Sequence, residues 1–312
     1  MQTINEILNV DPGANGAYRN LRIQVDKIRR HARQGSYGTR ERYYYAMILF
    51  IKFLAAVFRL EKLENLCGKH VCGYIEYRQA EGIAPATIKN ELCAIRYYHD
   101  QMANAKYRLP SNDELSVNLE KRRFGEVDRT WTEPEYKAMV KKAEEIGKPV
   151  FADVLLLAHD MGLRLHEAYR IDTAMARNAI KSGTLQIKGK GGKVRLVPLP
   201  ESCRTMFSER LKITPQGEKL FVPNDVQTHN AMLEMELFLL KYRDSVRDPS
   251  NPVLLTYHGL RHTYAATTYL RLKSEGRSDF EAHIAVSRLL GHDRADVTDI
   301  YLAAVKDGWD HM

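Results

Sequence analysis

The chain has 312 residues, 44% of them hydrophobic, with a formal net charge of +8; that length suits about two domains. No apolar run reaches the roughly 18 residues of a membrane span, and the N-terminal "MQTINEILNVDPGANG" lacks the basic-then-apolar pattern of a secretory signal, so a cytoplasmic chain is expected. Four scattered cysteines, Cys67, Cys72, Cys93 and Cys203, exclude a disulfide framework.

The charge is uneven along the chain. Residues 1–130 carry 21 Lys and Arg against 15 Asp and Glu, and the remainder carries 26 against 24. The excess is densest in "YRNLRIQVDKIRRHARQGSYGTRER", residues 18–42. Such a surface suits a polyanion, because Lys and Arg displace the counterions condensed on phosphates. A solvated basic face is the alternative.

In chain order, residues 17–107 read as helices. "TRERYYYAMILFIKFLAAVF" is apolar through several turns, with Arg40 and Arg42 near its start, and "APATIKNELCAIRYYHDQMA" spaces Ile88, Leu92 and Ile95 helically. Gly82 and Pro85 break the pattern between them, so a bundle of four or five helices is predicted for this stretch, within a first domain of residues 1–118. "EKRRFGEVDR" loses periodicity, and 119–130 is expected to be a linker that touches a polyanion through Lys121, Arg122 and Arg123. A second domain, 131–312, opens where Thr132 and Glu135 make a capping box. Its next helix carries Phe151, Val154, Leu155 and Ala158 on one stripe and stops at Gly162. "GTLQIKGKGGKVRLVPLP" predicts a β-hairpin turning at Gly191-Gly192, with Lys188, Lys190 and Lys193 near its tip, and helices return beyond it.

Two short motifs are weak. "CGKHVC", residues 67–72, has no second ligand pair for structural zinc and reads as small residues at a helix junction. "GKGG", residues 189–192, is followed by a strand, whereas a phosphate-binding loop needs Ser or Thr and a helix.

A third set is dispersed. "MGLRLHEA" places Arg164 after a helix-ending glycine, with Glu167 three residues on; "YHGLRH" gives His258 and Arg261 on one helical face, with His262 beside them; "LLGHDRADVTDIYL" gives His292 and Tyr301. Each alone has a structural explanation: an Arg164–Glu167 helix pair, a C-cap at Gly291, a core tyrosine. Together they form a cationic set with one nucleophile, while Asp160, Asp293 and Asp296 fall into no obvious magnesium motif. Arginine forks stabilise the charge that develops on phosphodiester oxygens, and a tyrosine hydroxyl can attack covalently.

In this combination, "GLRLHE", "IKGKGGKVRLVPL", "HGLRHTYAA", "LLGH" and "YL" in order, the chain resembles the tyrosine recombinases of the phage-integrase family. The resemblance is dense over 151–305 and loose in the N-terminal half, where "ATIKNELCAIRYYHDQM" is similar to the family's groove-facing helix. It implies a mainly α fold with a small β-hairpin: a helical, SAM-like core-binding domain followed by an α+β catalytic domain. It implies a site-specific recombinase or integrase that cuts and rejoins DNA through a 3′-phosphotyrosyl link, without metal, ATP or cofactor. Tyr301 would be the nucleophile, and Arg164, Arg261 and His292 would hold the non-bridging oxygens. His258 would assist proton transfer and Lys190 would protonate the departing 5′-oxygen. Glu167 would orient the local structure. Arg40, Arg42, Thr87, Lys89, Asn90 and the linker basics would contact DNA. The implied partners are double-stranded DNA carrying a specific recombination site, further copies of the chain in a homotetramer on that DNA, and accessory DNA-bending proteins; no membrane is involved. Only 11 residues follow Tyr301 and only a short lead precedes residue 17, which favours a simple two-domain recombinase. The competing expectations are a type IB topoisomerase-like DNA-relaxing enzyme and a non-catalytic DNA-binding protein of the same fold.

Overall fold

The structure is a computed structural model that describes residues 3–33, 35–119, 127–189, 192–249, 251, 253–292 and 296–306. The linker basics Lys121, Arg122 and Arg123, the hairpin lysine Lys190 and the hairpin glycine Gly191 lie outside the described residues. The chain divides into two units, Met1–Arg122 and Arg123–Met312.

The first unit is built from α1 (Ile4–Val10), α2 (Pro12–His31), α3 (Tyr37–Phe58), α4 (Gly68–Ala80) and α5 (Pro85–Asp100). A helical start ahead of residue 17 was not anticipated. Its signals are in the sequence all the same: Thr3 and Glu6 form a capping box, and Asp11 caps α2 ahead of Pro12 at its first position. Arg29, Arg30 and His31 occupy the last turn of α2, where cations offset the helix dipole. The long apolar helix α3 packs against α1, α2, α4 and α5. Phe50, Ile51 and Leu54 of α3 meet Leu21 and Val25 of α2, Tyr74 of α4, and Leu92 and Ile95 of α5. Each such fully buried side chain stabilises the bundle by about 1.5–3 kcal/mol. One ion pair joins α4 to α5: Arg78 grips Glu91 at 2.8 and 3.0 Å, and the Tyr74 hydroxyl donates to the same carboxylate. In "CGKHVC", the His70 Nδ1 accepts the Cys67 backbone N–H at 3.1 Å, and Cys72 lies 3.3 Å from the Ser116 hydroxyl.

The second unit runs α6 (Glu133–Glu145), α7 (Pro149–Met161), α8 (Leu165–Ala168), α9 (Thr173–Ser182), β1 (Thr184–Lys188), β2 (Val194–Pro198), α10 (Glu201–Ile213), α11 (Thr228–Val246), α12 (Tyr257–Ser274), α13 (Asp279–Leu290), α14 (Asp296–Asp299) and α15 (Ala303–Lys306). Thr132 and Glu135 form the expected capping box of α6. The strands pair antiparallel, with Leu185 opposite Val197 and Ile187 opposite Arg195. Helix α12 packs across α7 and is buried along nearly its whole length. Its small residues Ala265, Ala266, Thr263 and Thr268 are buried, while exposed Thr267 returns its hydroxyl to the Thr263 carbonyl at 2.9 Å. Helix α7 ends at Gly162, whose φ of 60° is left-handed; a Cβ there would lie 2.3 Å from the Tyr264 ring. The glycine therefore lets α7 stop against α12 and turn the chain toward Arg164. Among the described residues no helix is long and apolar enough to cross a membrane.

Candidate active site

The site is built where four chain ends meet α12. Trp131 fixes the start of α12: its backbone N–H donates to Thr263 Oγ1 at 2.8 Å and its indole to the Thr256 carbonyl at 3.0 Å. This presents His258, Arg261 and His262 from the first two turns. The α7–α8 turn supplies Arg164, the C-terminus of α13 supplies His292, and the turn between α14 and α15 supplies Tyr301. Buried Leu302 anchors that last turn in a small cluster with Tyr264, Tyr269 and Leu290.

Arg261 is 0% exposed. Its guanidinium donates to the Gly162 carbonyl at the end of α7 and to the Leu290 carbonyl at the end of α13, and its Nη2 lies 3.5 Å from His292 Nε2. Among the described residues its Nε has no hydrogen-bond partner and no carboxylate pairs with it. Burial, and then the charge of Arg164, lower its pKa to about 10, so it remains a cation at neutral pH. A buried cation without a counter-anion is costly unless an anion joins it.

Tyr301 is buried, and its hydroxyl lies 3.1 Å from His258 Nε2. Its ring stacks on His262 at 4.4 Å and faces the Arg261 guanidinium at 5.5 Å. His258 is exposed as a residue, yet its ring is partly desolvated. That desolvation, followed by the charges of Arg261, Arg164 and Arg129, holds its pKa down at about 4. Burial and neighbouring positive groups put His262 and His292 at about 3. All three imidazoles are therefore neutral at pH 7. A neutral His258 can accept the tyrosine proton through Nε2, which is the arrangement a general base needs. Arg261 can only donate, so His292 Nε2 accepts and its Nδ1–H points to Thr298 Oγ1, 3.0 Å away.

Glu167 is 2% exposed and is surrounded by arginine donors. Arg164 donates its backbone N–H to Oε2 at 2.8 Å and its Nη1 to Oε1 at 3.0 Å. Arg195 closes a bidentate pair at 2.8 and 2.7 Å. Burial alone would raise the carboxyl; Arg195 and then the Arg164 N–H overcome it and hold the pKa at about 2.

The structure thus gathers Arg164, Glu167, His258, Arg261, His292 and Tyr301 in one place. The other hairpin lysines, Lys188 and Lys193, are exposed. In the first unit Thr87, Asn90 and Arg42 are exposed, while Lys89 and Arg40 are half-buried. Among the described residues no three His, Cys, Asp or Glu side chains gather as a metal site. Two neighbours went unassigned in the sequence, His262 and Arg195. The signal for Arg195 was available: strand alternation puts it on the same face as Val197 and opposite buried Ile187. A charged residue on a core face needs a partner.

Profile comparison matches residues 19–106 to the family described as "Phage integrase, N-terminal" and residues 129–307 to the "Phage integrase family". The tyrosine recombinase XerS of Lactococcus lactis subsp. cremoris is 27% identical over 163 residues, which cover 49% of this chain and 42% of the relative. The chain thus spans less than half the length of that relative. The tyrosine recombinase XerD of Xanthomonas campestris pv. campestris is 29% identical over 244 residues, covering 73% and 71% of the two chains. A lambda integrase tetramer bound to a Holliday junction shares the fold with a TM-score of 0.63 at 17% identity, over 90% of this chain and 76% of that one. The architecture is accordingly a helical SAM-like unit followed by an integrase catalytic unit. With more than half of its residues inside the catalytic-domain profile, the chain belongs to the phage integrase family.

Proposed function

We propose that this chain is a site-specific DNA recombinase that cleaves and rejoins strands through a 3′-phosphotyrosyl intermediate. The observation that carries this reading is the buried Arg261 guanidinium, whose Nε has no hydrogen-bond partner among the described residues, beside a tyrosine whose hydroxyl meets a neutral histidine. Tyr301 Oη attacks the scissile phosphorus as His258 takes its proton. The bond to the 5′-oxygen breaks, and Lys190 supplies the proton that leaves with it. Arg164, Arg261 and His292 hold the two non-bridging oxygens as charge builds on them. An arriving phosphate opposes the arginine charges that depress His292 and so favours its protonated, donating form. One phosphodiester is exchanged for another, so no ATP is required. A 5′-hydroxyl from a second strand reverses the step.

The recombinases named above support strand exchange over the relaxation of a type IB topoisomerase and over non-catalytic binding. The partner is double-stranded DNA carrying a recombination site, bound by a homotetramer in the cytoplasm, with accessory DNA-bending proteins as further partners. Residues 1–118 form the DNA-clamping unit, 119–130 the linker and 131–312 the catalytic unit. Arg40, Arg42, Thr87, Lys89, Asn90, Lys121, Arg122 and Arg123 contact the duplex.

The test is covalent capture. The full chain is incubated with a randomised duplex pool, free DNA is removed under denaturing conditions, and the protein is digested for mass spectrometry. The expected result is a nucleotide on the Tyr301 peptide; capture of no duplex would reject the reading.

A further inference from the structure

We propose that Arg195 is a positioning residue of this site, holding Arg164 through Glu167 and the His292 segment through the end of α13. The inference deepens the recombinase reading and rests on it.

The geometry is unusually complete around one carboxylate. An ionised carboxylate offers about four acceptor positions. On Glu167 they are taken by four donors: the backbone N–H and Nη1 of Arg164, and Nη1 and Nη2 of Arg195. Arg195 therefore occupies half of the carboxylate and limits what Glu167 can take from Arg164. Without it, two acceptor positions on a buried anion would be left open. The Arg164 guanidinium already bonds Oε1 through Nη1, and its remaining donors would be drawn onto Glu167 and away from a phosphate. A fork is needed for this. Two parallel N–H groups fit the two oxygens of a carboxylate, and a lysine ammonium cannot reproduce them.

The third donor of Arg195 works elsewhere. Its Nε donates to the Leu289 carbonyl at 2.9 Å, in the last turn of α13. Helix α13 then ends at Gly291, with a left-handed φ of 66°, and His292 follows. A Cβ on residue 291 would lie 3.0 Å from Arg195 Cδ, so a glycine lets the chain pass the arginine stem closely. One side chain from β2 thus fixes both the support of Arg164 and the turn that aims His292. It also ties that support to the hairpin carrying Lys190, since Gly189 approaches Glu167 and Arg195.

A role through Arg164 is separable from a role in folding alone. The substrate is a duplex captured covalently by the wild-type chain, made once with a normal scissile phosphate and once with a neutral methylphosphonate at that position. The methylphosphonate lacks the charge that Arg164 neutralises. Arg195→Ala is expected to bind the duplex with unchanged Kd and to cleave the phosphate about 100-fold more slowly, the scale of a misplaced site group. On the methylphosphonate its rate should come within a few fold of the wild-type rate on that substrate. Combining Arg195→Ala with Arg164→Ala should cost clearly less than the two single losses multiplied together, because one of the two routes by which Arg195 acts runs through Arg164. Arg195→Lys keeps the charge and the stem; should Arg195→Ala not fold, the lysine variant is read by the same two substrates.

Cleavage of the phosphate at the wild-type rate by either variant overturns the inference, as does an equal loss on both substrates. If the wild-type chain captures no duplex, the recombinase reading fails and a role for Arg195 in strand cleavage fails with it.

Discussion

The Tyr301 hydroxyl sits 3.1 Å from His258 Nε2, joining a turn after α14 to the first turn of α12. The two residues are 43 positions apart, and each is oriented by groups other than its partner: Tyr301 by the stack on His262, His258 by a helix start pinned through Trp131. Removing the hydroxyl therefore deletes the chemistry while leaving the packing. Tyr301→Phe should bind DNA with near-normal affinity and form no covalent adduct on a nicked suicide duplex resolved on a denaturing gel. Its stability should fall by about 1 kcal/mol or less, the net worth of one hydrogen bond. Persistent adduct would move the nucleophile to Tyr264 or Tyr269, both buried on α12, with the Tyr269 hydroxyl 3.1 Å from Asp279.

Lys190 is assigned to the leaving group, and sulfur in place of the 5′-oxygen departs without a proton. Lys190→Ala should be slow on normal DNA and largely restored on the 5′-bridging phosphorothioate. Rescue of Lys188→Ala or Lys193→Ala instead would shift the assignment along the hairpin.

Acid should loosen the catalytic unit through its neutral histidines. His262 is 2% exposed, and its pKa of about 3 lies below the ordinary value of 6.5. The unfolded chain then binds a proton that the folded chain refuses, so stability is full above pH 6.5 and declines as pH falls toward 3. The slope from this one group is at most about 1.4 kcal/mol per pH unit. In thermal unfolding between pH 7 and 4, His262→Gln should lose less stability per pH unit than the wild type. Parallel curves for the two proteins would show that His262 does not titrate on unfolding.

Gly162 is both left-handed and in close approach to Tyr264. Gly162→Ala should destabilise the protein by more than about 1 kcal/mol, the usual cost of a side chain forced to positive φ. It should also slow cleavage, because the same turn leads to Arg164 and its carbonyl receives Arg261. A denaturant titration read beside the adduct assay measures both.

If α5 contacts DNA as proposed, Lys89→Ala should weaken binding evenly across sequences and reduce the salt slope by about one. Asn90→Ala should instead change which duplex is preferred, since amide side chains read base edges. Equal effects of both on every sequence would remove α5 from sequence reading.

Much of the site was legible because its members are chemically expensive. Arginines, histidines and a tyrosine in runs otherwise apolar, such as "HGLRHTYAA" and "LLGH", call for a reason to be buried, and their order identified the family before any geometry was known. The helix stops at Gly162 and Gly291 and the capping box at Thr132 were equally plain, since each rests on a local rule. Strand alternation marked Arg195 as a charge on the core face, but not its partner, which is 28 residues away and is brought to it only by the packing of the hairpin. His262 escaped for a related reason: its meaning lies in the face of Tyr301, 39 residues distant and on another turn. The helices before residue 17 were missed although Thr3, Glu6, Asp11 and Pro12 announced them.

Arg261 hydrogen-bonds the carbonyl ends of α7 and α13 at once. These are the negative poles of two helices, and the guanidinium clasps them while still facing Tyr301. An exposed arginine would give up about 2 kcal/mol of rotamer freedom when a ligand immobilised it. Here that freedom was surrendered when the domain folded, so a phosphate entering the site as proposed would meet a cation already stationary. In the proposed reaction, strand cleavage would then begin without waiting for a side chain to find its place, and any motion that parts α7 from α13 would remove the electrostatic support of Tyr301 in a single step.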